Sequence, residues 1–450
     1  MQVSVETTEG LGRRMTVQVP AEQVEEKVDQ RLRSLRGNVR MDGFRPGKVP
    51  LKVVRKRYGP QVRGEVLSEL VQSTYSEALR EKELRPAGNP EIEPKQTEEG
   101  KDLEYQATFE VLPSFEVTGL DQIKVERPQV EITDADVDEV LERLRKQQAE
   151  YNEVDRASQE GDRVVIDFKG TVDGEEFSGN EGNDVPVVLG AGQMPPAFEE
   201  GLTGVKAGDE TTIEHTFPEE FPDSEVAGKA GQFAVTVKTV EAPEYPEIDD
   251  AFAEKVGVKE GGVEKLREAI KTNLERERDQ TVASRVKHQV MDQLLDITDI
   301  ELPKVLVDAE IDQLRQQEQS RQQQSGQEEP DDLPAALFEE NARRRVALGL
   351  IVNELVRSND IKLDRDRVMQ SLQEMAAGYE QPEEVLRYYA QNRQLMEGVE
   401  VAVLEDQVVD YVVQQAQVED KPMSLQELMS PQQPEAESAE GESKQDETKE

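Results

Sequence analysis

The chain has 450 residues, and 54 Lys and Arg residues against 97 Asp and Glu residues give it a formal net charge of −43 at pH 7. Such a length suits roughly two to four domains, while 4% aromatic and 34% charged residues indicate long solvated helices or tails. The absence of cysteine excludes disulfides and thiolate-ligated metals, and two histidines are few for a metal cage or a Ser-His-Asp triad. Because the first residues lack an apolar core and no stretch reaches about 18 apolar residues, we expect a cytoplasmic chain without a signal peptide or membrane span.

Residues 1–112 are predicted to form a compact α+β domain. Alternating apolar residues predict two strands near the start of the chain and a third over 103–111. A helix with apolar residues three or four apart is expected after Pro20, and a second helix after Pro60. The order β-β-α-α-β favours two helices that cover one side of a small sheet.

Residues 113–150 are predicted to be a connector that ends in a helix. Thr133 and Asp136 have the spacing of a capping box, which indicates a helix over 134–150. Residues 151–245 are richer in glycine and β-branched residues, as is typical of a small β-rich domain. Its strands are expected at 164–168, 185–189, 210–215 and 233–240, with one short helix near 197–201.

Residues 246–430 are predicted to be mostly helical. Helices are expected over about 263–296, from Pro303 into the Gln-rich run 316–327, and near 334–358, 364–377, 382–396 and 398–416. Polar residues interrupt their apolar faces, so the region is either an adaptable cradle for unfolded polypeptide or a dimerisation or spacer module. Residues 431–450 are rich in Pro, Glu, Ser and Gln and are expected to be a disordered acidic tail.

A cationic segment interrupts this acidic chain. Between residues 31 and 63 there are eleven Arg and Lys residues and a single acid, Asp42, which gives a local balance of 11 − 1 = +10. Such a patch attracts a phosphate backbone by releasing counterions. The alternative interpretation is a solvated basic helix pair with Phe44 packed inward.

A loop with the sequence Gly-Phe-Arg-Pro-Gly-Lys-Val-Pro occupies residues 43–50, at the centre of the cationic segment. Its glycines and prolines favour an ordered turn, which would expose one aromatic side chain and two cations suited to docking. A nucleotide-binding loop is rejected because Val49 stands where a magnesium-binding Ser or Thr is needed. The candidate docking residues are Gly43, Phe44, Arg45, Pro46, Gly47 and Lys48.

Phenylalanines are concentrated in the β-rich domain. Six of the eleven in the chain lie there: Phe168, Phe177, Phe198, Phe217, Phe221 and Phe233. Such a set either lines an apolar pocket with little acid–base chemistry or forms the core of a barrel. Phe217 is assigned to the core, and no histidine or charged residue is expected to converge with the rings.

Together these features resemble the bacterial trigger factor family, chaperones that meet nascent chains at the ribosome. The family's loop pattern, Gly-Phe-Arg-x-Gly-Lys-x-Pro, is intact over 43–50. The β-rich domain resembles the FK506-binding class of peptidyl-prolyl isomerases through residues 166–170, 173–177, 189–190, 194–199 and 217–221. The helical part agrees over 302–311 and 338–361.

The resemblance implies a multidomain α+β fold. It comprises a ribosome-binding domain (1–112), an FK506-binding-like isomerase domain (151–245) and a discontinuous all-α chaperone domain (246–430), against which the connector helix would pack. The proline pocket implied by the resemblance is lined by Phe168, Phe177, Val185, Met194, Pro195, Phe198, Phe221 and Phe233. Phe198 stands where single-domain members usually have tryptophan, Phe221 where they have tyrosine, and Ser178 where they often have aspartate. The floor stays apolar, so isomerisation is expected without any cofactor or metal.

The resemblance also implies partners. These are the protein and rRNA of the large ribosomal subunit at the tunnel exit, and nascent and unfolded polypeptides. A weak homodimer off the ribosome is also expected. No membrane is expected as a partner. No ATP would be needed, since no nucleotide motif is present. The alternatives are an RNA-binding or ribosome-assembly factor in which the isomerase fold is only a scaffold, and a free isomerase with a helical dimer module.

Overall fold

The computed structural model describes residues 1–39, 44, 49–177, 180–218, 226–324, 333–379 and 381–430. The chain divides into two compact units, each built from segments that are distant in sequence. The first contains Met1–Arg127 and Ala283–Lys421, and the second contains Pro128–Val282 and the chain from Pro422 onward. Neither unit is therefore a continuous stretch of sequence.

The N-terminal domain is a four-stranded antiparallel sheet with two helices. Its elements are β1 (Gln2–Thr7), β2 (Gly12–Val19), α1 (Ala21–Asn38), α2 (Leu51–Glu81), β3 (Glu91–Gln96) and β4 (Leu103–Glu110), with the strand order β1-β2-β4-β3. Alternate residues of β2 and β4, such as Met15 and Tyr105, are fully buried with Val28 and Leu32 of α1. The period-two pattern thus buries one face of the sheet under the helices, as predicted. Strand β3 was not predicted.

The prediction that the second helix begins after Pro60 was wrong. Helix α2 begins at Leu51, directly after Pro50, and continues through Pro60. Val49 and Val54 are fully buried in the domain core, so apolar packing fixes the first turns of the helix. Pro60 lies on the exposed side of α2, where the carbonyl that it leaves without a donor can reach water.

The connector contains β5 (Lys124–Gln129) and α3 (Asp134–Gln147). The predicted capping box is present: the N–H of Thr133 donates to Asp136 at 2.7 Å. Val137 and Leu141 of α3 are buried together with Leu266 and Ile270, so the connector helix packs against the helices after residue 246, as predicted.

The β-rich domain is a five-stranded sheet with a short helix. It consists of β6 (Glu150–Glu153), β7 (Arg163–Val172), β8 (Glu181–Val188), α4 (Pro196–Leu202), β9 (Glu210–Thr216) and β10 (Ala230–Glu244). Strand β10 is the centre of the sheet, because it pairs with β6, β7 and β9, all antiparallel. The predicted strands are all present but shorter than observed, and β6 was not predicted.

The remaining chain is helical, as predicted. The helices are α5 (Asp250–Lys255), α6 (Gly262–Ile297), α7 (Lys304–Gln324), α8 (Ala336–Ser358), α9 (Arg365–Ala376), α10 (Pro382–Gln391), α11 (Arg393–Val413) and α12 (Leu425–Met429); β11 (Gln417–Pro422) pairs with β5. The break between α10 and α11 lies at Asn392 rather than at residue 397. There the Asn392 side chain accepts from the N–H groups of Gln394 and Leu395 and so starts α11.

Candidate functional site

Five phenylalanines meet on one face of the β-rich sheet, and we call them the aromatic cluster. Phe168 lies on β7, Phe177 in the loop that follows, Phe198 on α4, Phe217 just after β9, and Phe233 on β10. Phe198, Phe217 and Phe233 are buried, whereas Phe168 and Phe177 are half-buried. Partly exposed rings over a buried base give the domain an apolar surface that a ligand can reach.

Phe233 is the centre of the aromatic cluster. Its ring centroid lies 4.9 Å from that of Phe198, 6.2 Å from those of Phe168 and Phe177, and 6.3 Å from that of Phe217. Most of these pairs are edge-to-face, an arrangement that contributes roughly 0.5–1.5 kcal/mol a pair beyond burial of area. The rings therefore hold one another in place before any ligand binds.

Three other predicted lining residues lie beside the cluster. Val185 and Met194 are partly buried against the same core. Pro195 precedes α4, and its carbonyl accepts from the N–H of Phe198 at 2.8 Å, which fixes the first turn of the helix that carries Phe198. Phe221, the last predicted residue, lies outside the described part of the chain, as does Ser178.

The expectation that no histidine converges with the rings was wrong. The His215 ring centroid lies 5.2 Å from that of Phe217 and 6.4 Å from that of Phe198. The signal was present in the sequence, because Ile213 and His215 of β9 alternate with Phe217 just after it, and alternate residues of an extended chain share one face. Phe217 is buried in the core, as expected, and its ring also packs at 5.7 Å against Phe177.

The docking loop can be described at Phe44 and at its ends. Phe44 is 41% exposed, which contradicts the interpretation that packs its ring inward. Val39, which precedes the loop, and Val49, near its end, are buried in the N-terminal domain. The other predicted docking residues, Gly43, Arg45, Pro46, Gly47 and Lys48, lie outside the described residues.

Acids from outside the cationic segment neutralise part of its charge. Arg55 bonds Asp29 at 2.7 Å, Arg63 bonds Glu25 at 2.8 Å, and Arg31 lies 3.8 Å from Glu65. The local balance of +10 therefore overstates the free charge. Five cations have no ion pair within the described residues: Arg33, Arg36, Lys52, Lys56 and Arg57.

A crevice of about 540 Å³ lies among helices α6, α7, α8 and α11. Met291, Leu348 and Val352 give it apolar walls. The charges at its rim pair with one another: Lys287 with Glu405 and Asp406, each at 2.9 Å, and Arg345 with Glu310 at 2.7 Å.

Lys287 stays charged at this rim. Burial alone would lower its pKa, but the hydrogen bonds to Glu405 and Asp406 hold the pKa above its ordinary value. Because the rim charges are already paired, the apolar walls are the part of the crevice that is left to contact another molecule.

Family models match most of the chain, in the order of its domains. The model of the bacterial trigger factor protein matches residues 1–144, that of the FKBP-type peptidyl-prolyl cis-trans isomerase residues 154–238, and that of the trigger factor C-terminus residues 262–414. The trigger factor of Halorhodospira halophila (strain DSM 244 / SL1) is 62% identical over 434 residues, which cover 96% of this chain and 98% of that protein. The chain belongs to the bacterial trigger factor family.

A second relative agrees with this assignment. The trigger factor of Thioalkalivibrio sulfidiphilus (strain HL-EbGR7) is 54% identical over 431 residues, with 96% of this chain and 98% of that protein covered. A solved structure from work on promiscuous substrate recognition by the trigger factor chaperone is 19% identical, with a TM-score of 0.48, and the match covers 92% of this chain and 99% of that one.

Family membership confirms the predicted family, fold class and enzyme class. The chain is a trigger factor chaperone with an FKBP-type peptidyl-prolyl cis-trans isomerase domain and a helical C-terminal region. Among the described residues, no helix is long and apolar enough to cross a membrane.

Proposed function

We propose that the protein is an ATP-independent chaperone that docks at the tunnel exit of the large ribosomal subunit in the cytoplasm. There it binds nascent and unfolded polypeptides and isomerises their X–Pro bonds. The observation that carries this proposal is an exposed Phe44 between the buried Val39 and Val49, in a chain that also holds the aromatic cluster. An aromatic side chain left in solvent is a common anchor for a binding partner.

The isomerase site of this proposal consists of the lining residues Phe168, Phe177, Val185, Met194, Pro195, Phe198, Phe221 and Phe233, and Phe217 belongs to the core behind them. Uncatalysed X–Pro isomerisation takes tens to hundreds of seconds because twisting the amide removes its resonance. The twisted amide is less polar than the planar one, so a dry apolar surface binds it preferentially, without covalent chemistry. Each ~1.4 kcal/mol of such preference accelerates the reaction tenfold.

The docking site of this proposal is the loop of residues 43–50 and the helix ends beside it. Phe44, Arg45 and Lys48 would contact a protein at the exit and the rRNA around it. The ion pair between Arg55 and Asp29 joins the start of α2 to α1. Arg33, Arg36 and Lys52 lie between that pair and the loop in sequence. Because they have no ion pair among the described residues, they are available to bind rRNA phosphates.

Client binding is assigned to the helical region. The crevice among α6, α7, α8 and α11 offers apolar walls behind paired charges. Leu337, Tyr379 and Tyr388 are each more than 60% exposed on or beside α8–α10. Many weak apolar contacts would hold an unfolded segment and release it without nucleotide hydrolysis, and the same surface would support a weak homodimer off the ribosome.

Cosedimentation with translating ribosomes across a salt series tests this proposal. The triple variant Phe44→Ala, Arg45→Ala, Lys48→Ala is expected to leave the ribosome pellet at moderate salt, because it removes the aromatic anchor and two phosphate-binding charges. A matched control, Tyr245→Ala, Arg143→Ala, Lys146→Ala, removes one exposed aromatic side chain, one arginine and one lysine away from both the loop and the client-binding helices, and it is expected to pellet like wild type.

Two results would contradict the docking site. One is a loop variant that still pellets with ribosomes. The other is equal loss in the loop and control variants, since removal of charge alone would then explain the effect. Salt-sensitive binding to naked RNA, without protection of unfolded protein from aggregation, would instead support the RNA-binding alternative.

A further inference from the structure

Two glycines lie directly opposite rings of the aromatic cluster across the sheet. Phe233 of β10 pairs with Gly170 of β7, and Phe168 of β7 pairs with Gly182 of β8. A Cβ atom on Gly170 would lie 2.5 Å from Cε1 of Phe233, and one on Gly182 would lie 2.6 Å from Cε1 of Phe168. Both distances are too short for two carbon atoms, so each ring occupies the space that a side chain would need.

We propose that Gly170 and Gly182 are positioning residues of the isomerase pocket. Because these glycines have no side chain, the ring of Phe233 can pack over β7 and the ring of Phe168 over β8. This packing sets the orientation of the two rings at the pocket surface. The inference rests on the proposed assignment of these rings to the isomerase site. It goes beyond that assignment because neither glycine is itself a lining residue.

The backbone of Gly170 is held by two hydrogen bonds to Asn180. Its N–H donates to the carbonyl of Asn180 at 2.6 Å, and its carbonyl accepts from Nδ2 of Asn180 at 2.9 Å. Asn180 is itself 8% exposed. Because the strand cannot retreat without breaking these bonds, a methyl group added at Gly170 must displace the ring of Phe233.

Displacement of Phe233 would reach the whole aromatic cluster, because its ring touches those of Phe168, Phe177, Phe198 and Phe217. Relief of a 2.5 Å approach needs a movement of about 0.5–1 Å. A misplacement of about 1 Å in an active site can cost roughly 100-fold in rate. The effect should fall on kcat, because the tilt of the rings matters most for the twisted amide.

The test measures isomerisation of a proline tetrapeptide by the full chain, with thermal melting in parallel. Gly170→Ala is expected to lower kcat by roughly 10- to 100-fold with KM changed by less than about threefold. In a Phe233→Leu background the same substitution is expected to cost less than about threefold, because the ring that it displaces is gone. Gly88→Ala is the control for steric crowding in general. Its added Cβ would lie 2.9 Å from Val305, outside the isomerase domain, so this variant should keep wild-type turnover.

The outcomes distinguish a failure of the glycine inference from a failure of the proposed isomerase site. Wild-type turnover in both Phe198→Ala and Phe233→Leu would overturn the aromatic pocket itself. If Phe198→Ala and Phe233→Leu lose turnover while Gly170→Ala keeps it, only the role of the glycine is overturned. The same holds if Gly170→Ala lowers turnover equally in the wild-type and Phe233→Leu backgrounds. If Gly170→Ala does not fold, Gly182→Ala in wild-type and Phe168→Leu backgrounds applies the same criterion.

Discussion

The hydroxyl of Tyr75 is buried in the N-terminal domain without a hydrogen-bond partner among the described residues. Its ring packs edge-to-face on Phe109 with a centroid distance of 5.6 Å, while the neighbouring Thr74 hydroxyl bonds that of Tyr105 at 2.9 Å. Burial, together with the nearby Tyr105, raises the pKa of Tyr75 to about 12. The ring therefore stabilises the core, whereas the hydroxyl makes the fold sensitive to alkali.

We expect Tyr75→Phe to make the N-terminal domain more resistant to alkali. In the wild type, the unfolded tyrosine ionises near pH 10 while the folded one keeps its proton until about pH 12, so stability falls as pH rises through this window. The variant removes this loss, and below about pH 10 it should be at least as stable because an unpaired buried group is gone. Urea unfolding from about pH 8 to pH 11 measures both effects, and equal alkaline losses in the two proteins would contradict the assignment.

Helix α2 shows how an element can override a local sequence signal. Pro60 cannot donate to the carbonyl of Lys56, and a proline inside a helix favours a boundary there. Burial of Val49 and Val54 against the core outweighs this preference, so the helix extends nine residues before the proline, to Leu51. This packing cannot be read from a single sequence, because it depends on strands that are distant in the chain.

We expect Pro60→Ala to stabilise the N-terminal domain by about 1–3 kcal/mol, since it restores one helical hydrogen bond at an exposed position. Gly64→Ala, in the same helix and with open space around its added Cβ, is a reference substitution. It should raise the free energy of unfolding by roughly 0.5–1 kcal/mol. Chemical denaturation measures both changes. A Pro60→Ala variant that is no more stable than wild type would show that α2 does not need the missing bond.

The sequence predicted the elements whose apolar period is strong and missed those that depend on distant partners. Strand β4 and helix α6 followed from their own patterns. Strands β3 and β6, with the sequences EIEPKQ and EYNE, carry few apolar residues and form because β4 and β10 satisfy their hydrogen bonds. In the aromatic cluster, residue types and resemblance predicted rings that the structure brings together, but the positions of Gly170 and Gly182 opposite these rings required the cross-strand register.

Charge is distributed unevenly over the whole molecule. The chain carries −43, yet the α1–α2 hairpin presents five cations without ion pairs among the described residues. A strongly anionic body is repelled by rRNA, so in the proposed function the basic end would face the ribosome. The charge pattern therefore favours the proposed docking orientation, with Phe44 at the contact.

Photo-crosslinking from position 44 tests this account most directly. A photoreactive phenylalanine would replace Phe44 in the full chain bound to purified translating ribosomes, and the same residue at Tyr379, which is 63% exposed in the helical region, would serve as the comparison. We predict that position 44 crosslinks to a large-subunit component at the tunnel exit and that position 379 crosslinks to the nascent chain instead. Crosslinks from position 44 only to the protein itself, or the same products from both positions, would contradict the account.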